Sequence, residues 1–327
     1  MKVLITGCFG LIGSRLANLL QKLDHEVVGI DIGRNYLKFK PQTNHNDFTG
    51  NYEKYRNNLV YPAKIYGIDV KNGFELLDFI KKEAPDIVIH LAALPLANLS
   101  FNVSQEAYTS IFGSTFNLME SIRILGSKTK VVFASSSMVY GNFLNDQAYE
   151  DDQLSPISNY GAAKLAGEVL VRGFSISHGI SSIIIRPSAV YGPGDQNMRV
   201  LQNFIDAGFN NSTANVSGKD LILDFTYIDD ICEGFIKAAE KLFKTNEPYF
   251  DIFNCTSGNP VSLEQAVESV KEFFPKLKIN YTAKDSRVPK RGGLNLDKAR
   301  NILNYSPRFK FKDGLSEYIR IEKKIRT

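Results

Sequence analysis

Tyr160 and Lys164 stand four residues apart in the segment Tyr160-Gly-Ala-Ala-Lys164. On a helix that spacing puts both side chains on one face, with the ammonium beside the phenol. A positive charge there favours phenolate and draws a pKa ordinarily of ~10 toward working pH. Such a phenol is a candidate base for an alcohol proton. Tyr36 and Lys40 repeat the spacing, but in an irregular polar stretch, whereas Tyr160 opens a long amphipathic helix after Ser155-Pro156. Ser135, Ser136 and Ser137 end the apolar run before them. A hydroxyl at such a strand end either holds a substrate oxygen near the phenol or satisfies the strand terminus, and the residues alone leave both readings open. No histidine lies near the serines, so acyl transfer gains no support. His25, His45, His90 and His178 form no ligand cluster, and no metal site is expected.

A second chemistry-bearing segment is KVLITGCFGLIGSRLANLL. A strand ends at Thr6, glycines follow at Gly7, Gly10 and Gly13, and an amphipathic helix begins at once. Gly7 suits a tight turn, Gly10 a close approach of backbone to pyrophosphate, and Gly13 close helix–strand packing. The helix start then offers free amides to phosphate. The spacing is G-x-x-G-x-x-G, not the usual G-x-G-x-x-G, and the context implies a dinucleotide site. Cys8 within the loop reads as inert. Asp31 ends the second strand, where a carboxylate accepts ribose hydroxyls and repels a 2′-phosphate, which favours NAD over NADP. Arg34 lies near enough to bear on that choice. Asp69, after the third strand, suits either the adenine edge or a loop cap.

The elements that must position these residues follow from the apolar pattern. Lys2–Thr6, Glu26–Ile30, Lys64–Tyr66, Asp86–His90, Lys130–Ala134 and Ser182–Arg186 read as strands. Ser14–Lys22, Phe74–Glu83, Ala107–Leu125 and Asn159–His178 read as helices among them. Nearly continuous apolar strands alternating with helices imply a doubly wound α/β fold, its parallel sheet buried on both faces. Gly33–Pro62 interrupts the rhythm as a long polar loop. Gly208–Leu221 and Asn254–Val261 read as loops of a smaller second lobe. The expected division is 1–186 for dinucleotide binding and 187–327 mainly for substrate, with about 222–255 returning to the sheet.

Composition narrows the partners. With 43% hydrophobic residues in 327, the chain can bury a core without staples. Lys plus Arg number 39 against 35 Asp plus Glu, a net +4 with no strong basic run, so neither nucleic acid nor an anionic membrane is expected. No apolar stretch approaches a membrane span, and the start runs straight into a strand, so no leader is expected. Cys8, Cys232 and Cys255 are odd in number and widely spaced. A reduced, cytoplasmic setting fits them.

Taken in order, T-G-x-x-G-x-x-G, S-S-S-M-V-Y-G, Y-x-x-x-K, R-P-S-A-V-Y-G-P and L-D-F-T-Y-I-D-D resemble the extended short-chain dehydrogenase/reductase family, in its nucleotide-sugar epimerase and dehydratase branch. The likeness spans essentially the whole chain. It implies an NAD-binding Rossmann domain with a smaller C-terminal substrate lobe, a nucleotide-sugar substrate, and a homodimer formed through helices near 107–125 and 159–178. It also implies that Tyr160 is the catalytic base, that Lys164 holds the nicotinamide ribose and tunes the tyrosine, and that Ser136 is the catalytic hydroxyl with Ser135 and Ser137 beside it. Gly7, Gly10, Ile12, Gly13, Asp31, Asp69 and Leu91 fall where relatives line the cofactor.

The neighbours of Ser136 bear on the reaction. Family dehydratases place an Asp-Glu pair after the catalytic residue, and decarboxylases a Glu in this stretch. Here Ser137 and Met138 stand there, and neither transfers protons in that way. The resemblance then implies a 4-epimerase most like those of UDP-sugars, oxidising C4 to a 4-keto sugar and returning hydride to the other face. A dehydrogenase, reductase or dehydratase of the family is the alternative, and a non-catalytic dinucleotide sensor a remote one. Ala189 and Leu223 replace the Asn and Arg that usually grip the diphosphate, Arg287 matches a second phosphate-binding Arg, and Arg199, in the loop after Tyr191-Gly-Pro, reads either as compensating for them or as a surface arginine. Ser110 also replaces a common Asn.

Overall fold

Val3 and Ile5 enter one apolar layer and Leu4 enters another. The same alternation separates Ile87 and Ile89 from Val88, and Ile183 and Ile185 from Ile184. Strands buried on both faces need apolar residues at every position, which is why these runs lack polar interruptions. The computed structural model describes residues 1–33, 64–94, 100, 103–195 and 197–326. Arg34, the Tyr36–Lys40 pair and the Gly33–Pro62 segment beyond its first residue lie outside the described residues.

In chain order the first half comprises β1 (Lys2–Thr6), α1 (Leu11–Lys22), β2 (Glu26–Ile30), β3 (Lys64–Tyr66), α2 (Gly73–Glu83) and β4 (Ile87–His90). Next come α3 (Ser104–Tyr108), a π turn (Thr109–Gly113), α4 (Ser114–Ile124), β5 (Lys130–Ala134), a 3-10 turn (Ser137–Tyr140), β6 (Gln147–Ala148), α5 (Asn159–His178) and β7 (Ser182–Arg186). The later chain adds β8 (Ala189–Tyr191), α6 (Val200–Phe209), β9 (Thr213–Ser217), β10 (Ile222–Leu223), β11 (Phe225–Tyr227), α7 (Ile228–Lys244) and β12 (Phe250–Asn254). It closes with β13 (Val261–Ser262), α8 (Leu263–Lys271), β14 (Lys278–Thr282), β15 (Gly293–Leu294), α9 (Asp297–Leu303) and α10 (Phe311–Arg326).

The main sheet has seven strands in the order β12-β7-β5-β4-β1-β2-β3, all parallel. This is the Rossmann arrangement. From β1 the chain builds outward through β2 and β3, then crosses to β4 on the other side. That reversal opens a crevice beyond the carboxyl ends of β1 and β4, where such sheets take their ligands. The loops after β1, β2, β4 and β5 meet there. Among the described residues no helix is long and apolar enough to cross a membrane.

Several boundaries differ from the sequence reading. The first helix starts at Leu11, because the glycine loop turns straight into it. The strand read from Asp86 begins at Ile87, and the Asp86 carboxylate instead accepts from the Lys2 amide at 2.7 Å. The helix read as Ala107–Leu125 begins at Ser104 and is broken by the π turn. Gly208–Leu221, read as a loop, contains β9, which pairs in parallel with β14. Its sequence TANVS buries only Ala214 and Val216, and small or polar residues carry little strand signal. Helix α5 spans Asn159–His178 as expected. The Ser158 hydroxyl accepts from the Gly161 amide at 3.1 Å at its start, and Gly179 turns left-handed at its end.

Candidate active site

Gly7 adopts a φ of 75°, and its amide donates to Ile30 O at 2.9 Å. A Cβ on Gly13 would lie 2.3 Å from Gly7 O, so only glycine lets α1 sit this close to the loop. A Cβ on Gly10 would meet Gly7 O at 3.3 Å and no other heavy atom within 4 Å, and Gly10 lines the cleft. The three glycines thus serve turn, approach and packing separately. Asp31 is fixed at the end of β2 by the Phe9 and Gly33 amides, at 2.9 and 2.8 Å. Burial raises its pKa against the pull of those amides. Asp69 caps its own turn through the Lys71 amide at 2.9 Å and also lines the cleft, as do Ile12 and Leu91. A glycine cradle under a helix start, with a carboxylate at the second strand's end, fits NAD. Cys8 is buried and pushed up to about 12, so its thiol is not a nucleophile.

The three serines after β5 face three ways. Ser135 Oγ donates into the interior, to Glu168. Ser136 caps the 3-10 turn, accepting from the Met138 amide at 3.2 Å, and its hydroxyl acts on the Tyr160 phenol. Ser137 Oγ accepts from the guanidinium of Arg291 at 2.5 Å. Tyr160 and Met138 line the same cleft, whose volume is about 690 Å³. Burial raises the Tyr160 pKa, while the Arg199 charge and the Ser136 hydroxyl oppose that rise.

Lys164 is buried, donates to Ala134 O at 2.6 Å, and lies 5.9 Å from the Tyr160 ring centroid. Burial pulls it to about 7, with Glu168 acting the other way. The Lys164 ammonium stands beside the Tyr160 ring on the same helix, and the Arg199 charge also acts on the phenol. Arg199 itself pairs with Asp195 at 3.0 Å, and Arg287 is exposed and pairs with Asp285 at 2.6 Å. Both line the cleft, together with Ala189, Leu223 and Ser110. The Ser110 hydroxyl accepts from the Leu94 amide at 3.1 Å.

Sequence reasoning missed three residues here. Glu168 and Arg186 form a buried two-point pair at 2.9 and 2.7 Å, directly behind Ser135. Arg291 lines the cleft, and neither spacing nor motif marks it. His90 is the converse case. Its ring lies buried between Thr6 and Ser114, and burial draws it down to about 3, so it remains neutral.

Residues 3–255 match the family model described as the NAD dependent epimerase/dehydratase family. The chain belongs to that family. A UDP-glucuronate 4-epimerase of Thermodesulfobacterium geofontis is 28% identical over 327 residues, covering 97% of this chain and 94% of the relative. An uncharacterised UDP-glucose epimerase of Bacillus subtilis is 29% identical over 326 residues, with 98% and 97% covered. The solved UDP-glucuronic acid 4-epimerase of Bacillus cereus, in complex with UDP-glucuronic acid and NAD, superposes with a TM-score of 0.86 at 27% identity, covering 99% of this chain and 100% of that one. This family member is accordingly NAD-dependent, and its crevice holds the cofactor's candidate residues.

Proposed function

We propose that this family member is a nucleotide-sugar 4-epimerase using NAD. One observation carries the reading: Tyr160 and Ser136 line one cleft, and the two positions that follow Ser136 in the chain hold a neutral hydroxyl and a thioether. No carboxyl group follows Ser136 to take a C5 proton or to expel the C6 hydroxyl. NAD, when bound, supplies the acceptance and return of the C4 hydrogen. Tyr160 takes the O4 proton and gives it back, and Ser136 orients that oxygen. Lys164 supports the cofactor's ribose from its seat on Ala134. Arg199 and Arg287 are proposed for the diphosphate, and the relatives' names support UDP as the nucleotide.

The homodimer is likewise a proposal. Phe116, Val169 and Ile176 on α4 and α5 are 44%, 64% and 71% exposed, and an apolar face of this kind suits burial against a second copy. We also propose a cytoplasmic setting, supported by three buried free thiols, and the division into residues 1–186 for NAD and 187–327 mainly for substrate.

The test is incubation with UDP-, GDP-, dTDP- and CDP-sugars in deuterium oxide. The expected product has the substrate's mass, inverted C4, no carbon-bound deuterium and no accumulating free NADH. Loss of water, loss of carbon dioxide, deuterium at C3 or C5, or stoichiometric NADH release would each overturn the 4-epimerase reading.

A further inference from the structure

Glu168 stands one helical turn beyond Lys164 on the same face of α5, and both are buried. Lys164 donates to Ala134 O at 2.6 Å, and the Glu168 carboxylate accepts from the hydroxyl of Ser135, the next residue. Two successive turns of the helix thus grip two successive residues at the end of β5. Glycine brings the helix this close. A Cβ on Gly167 would lie 2.7 Å from Phe133 Cζ, and one on Gly161 2.6 Å from Met138 O.

The carboxylate is itself held on all sides. Arg186, at the end of β7, donates to both its oxygens, at 2.9 and 2.7 Å, and also to Tyr140 Oη and Glu150 O, each at 2.9 Å. Tyr140 Oη donates in turn to Asn254 Oδ1 at 2.8 Å, at the end of β12. A fork held at two points and braced from behind leaves the carboxylate little freedom to turn.

The pleat of the strand carries this anchor to the site. Phe133 packs in the layer of Val171 on α5, Ala134 lies in the opposite layer, and Ser135 turns back onto Glu168. Ser136 is still extended, with φ −163° and ψ 150°, so its hydroxyl leaves on the other side from that of Ser135. Both serines line the cleft, and a slip of one residue would exchange them. Resting on the 4-epimerase reading, we infer that Glu168 is a positioning residue: by holding the Ser135 hydroxyl against α5, it turns the Ser136 hydroxyl toward the Tyr160 phenol and the substrate oxygen. Glu168 does not itself line the cleft, and it acts through the two serines.

The test is a double-mutant cycle on the purified full chain, with C4 inversion of a UDP-sugar panel followed by NMR and stability by thermal melting. Ser135→Ala removes the link and leaves the Glu168–Arg186 pair intact, so Tm should stay within about a degree or two of the wild type. Its kcat should fall by about 10- to 100-fold, the scale of a slightly misplaced group, with KM within about threefold. In a Ser136→Ala background the same substitution should change kcat by less than about twofold, because the hydroxyl it positions is gone. Glu168→Gln should lower Tm, since it unbalances the buried pair, and its loss of kcat should likewise vanish in the Ser136→Ala background. Should Glu168→Gln fail to fold, Ser135→Ala and its cycle decide. Equal losses of kcat with and without the Ser136 hydroxyl would give Glu168 a role in the fold alone and overturn the inference, as would wild-type kcat in Ser135→Ala; both leave the 4-epimerase reading standing. No C4 inversion by the wild type across the panel overturns the 4-epimerase reading, and the positioning role with it.

Discussion

The ammonium of Lys164 donates to the main-chain carbonyl of Ala134 at 2.6 Å, tying α5 to the last residue of β5. One helical turn before it stands Tyr160, and directly after Ala134 come the serines. The contact therefore sets the phenol and the Ser136 hydroxyl at a common depth in the cleft.

Burial lowers Lys164 from 10.5 to about 7, and this has a signed consequence for stability. Between those values the unfolded chain holds a proton that the folded chain releases. Stability from this residue therefore rises with pH across the window, and the full penalty of burying the ammonium applies below it. Lys164→Met removes the effect. The stability of the wild type relative to this variant should climb from pH 7 to about pH 10 in urea unfolding; a flat difference would show that the ammonium is not desolvated.

Tyr160→Phe deletes the proton acceptor and leaves the ring in place. Turnover should fall by about 10²–10⁴, the usual contribution of a general acid–base group. NAD content, read by absorbance after extraction, should stay near the wild-type level, because the glycine cradle is untouched. Near-normal turnover would remove Tyr160 from the mechanism.

Behind Ser135 the pair Glu168–Arg186 is nearly water-free, at 3% and 1% side-chain exposure. Burial works against the Arg186 charge, and the contacts to Glu168 outweigh it. Arg186 also donates to Tyr140 Oη and Glu150 O, both at 2.9 Å. Removing one partner strands the other, at a cost of about 3–5 kcal/mol. Arg186→Met should show that loss in denaturant titration. A change under ~1 kcal/mol, within the range of a surface pair, would mean that water reaches Glu168.

What could be read beforehand followed from how locally each signal is encoded. Apolar runs such as IVIH and SIIIR announce strands covered on both faces, and the Gly7–Gly13 loop announces its helix, because each needs only neighbouring residues. Tyr160 and Lys164 share a helix, so their spacing was enough. Arg291 depends on Gly292–Leu294 meeting residues 146–148 across a long sequence separation, and no local pattern marks that approach. The same holds for Glu168 with Arg186. Strand β9 stayed hidden because its partner β14 lies far along the chain and its own residues are mostly small or polar.

Two of the loop glycines should fail in different ways when replaced by alanine. On Gly13 the new methyl would lie 2.3 Å from Gly7 O and 2.9 Å from Cys8 Cα, both backbone atoms that cannot swing aside. Gly13→Ala must therefore push α1 off β1, at a cost of about 1–3 kcal/mol or more for an overpacked contact. It should lower Tm and NAD binding together. On Gly10 the methyl meets only Gly7 O at 3.3 Å and otherwise extends into the cleft. Gly10→Ala should keep Tm within about a degree or two of the wild type, since surface changes are usually within ~0.5 kcal/mol. It should still weaken NAD by at least about tenfold, because the methyl occupies the space where the backbone approaches pyrophosphate. Calorimetry with NAD beside a thermal melt separates the two cases. Equal losses of Tm in both variants would mean that Gly10 serves the turn rather than the cofactor.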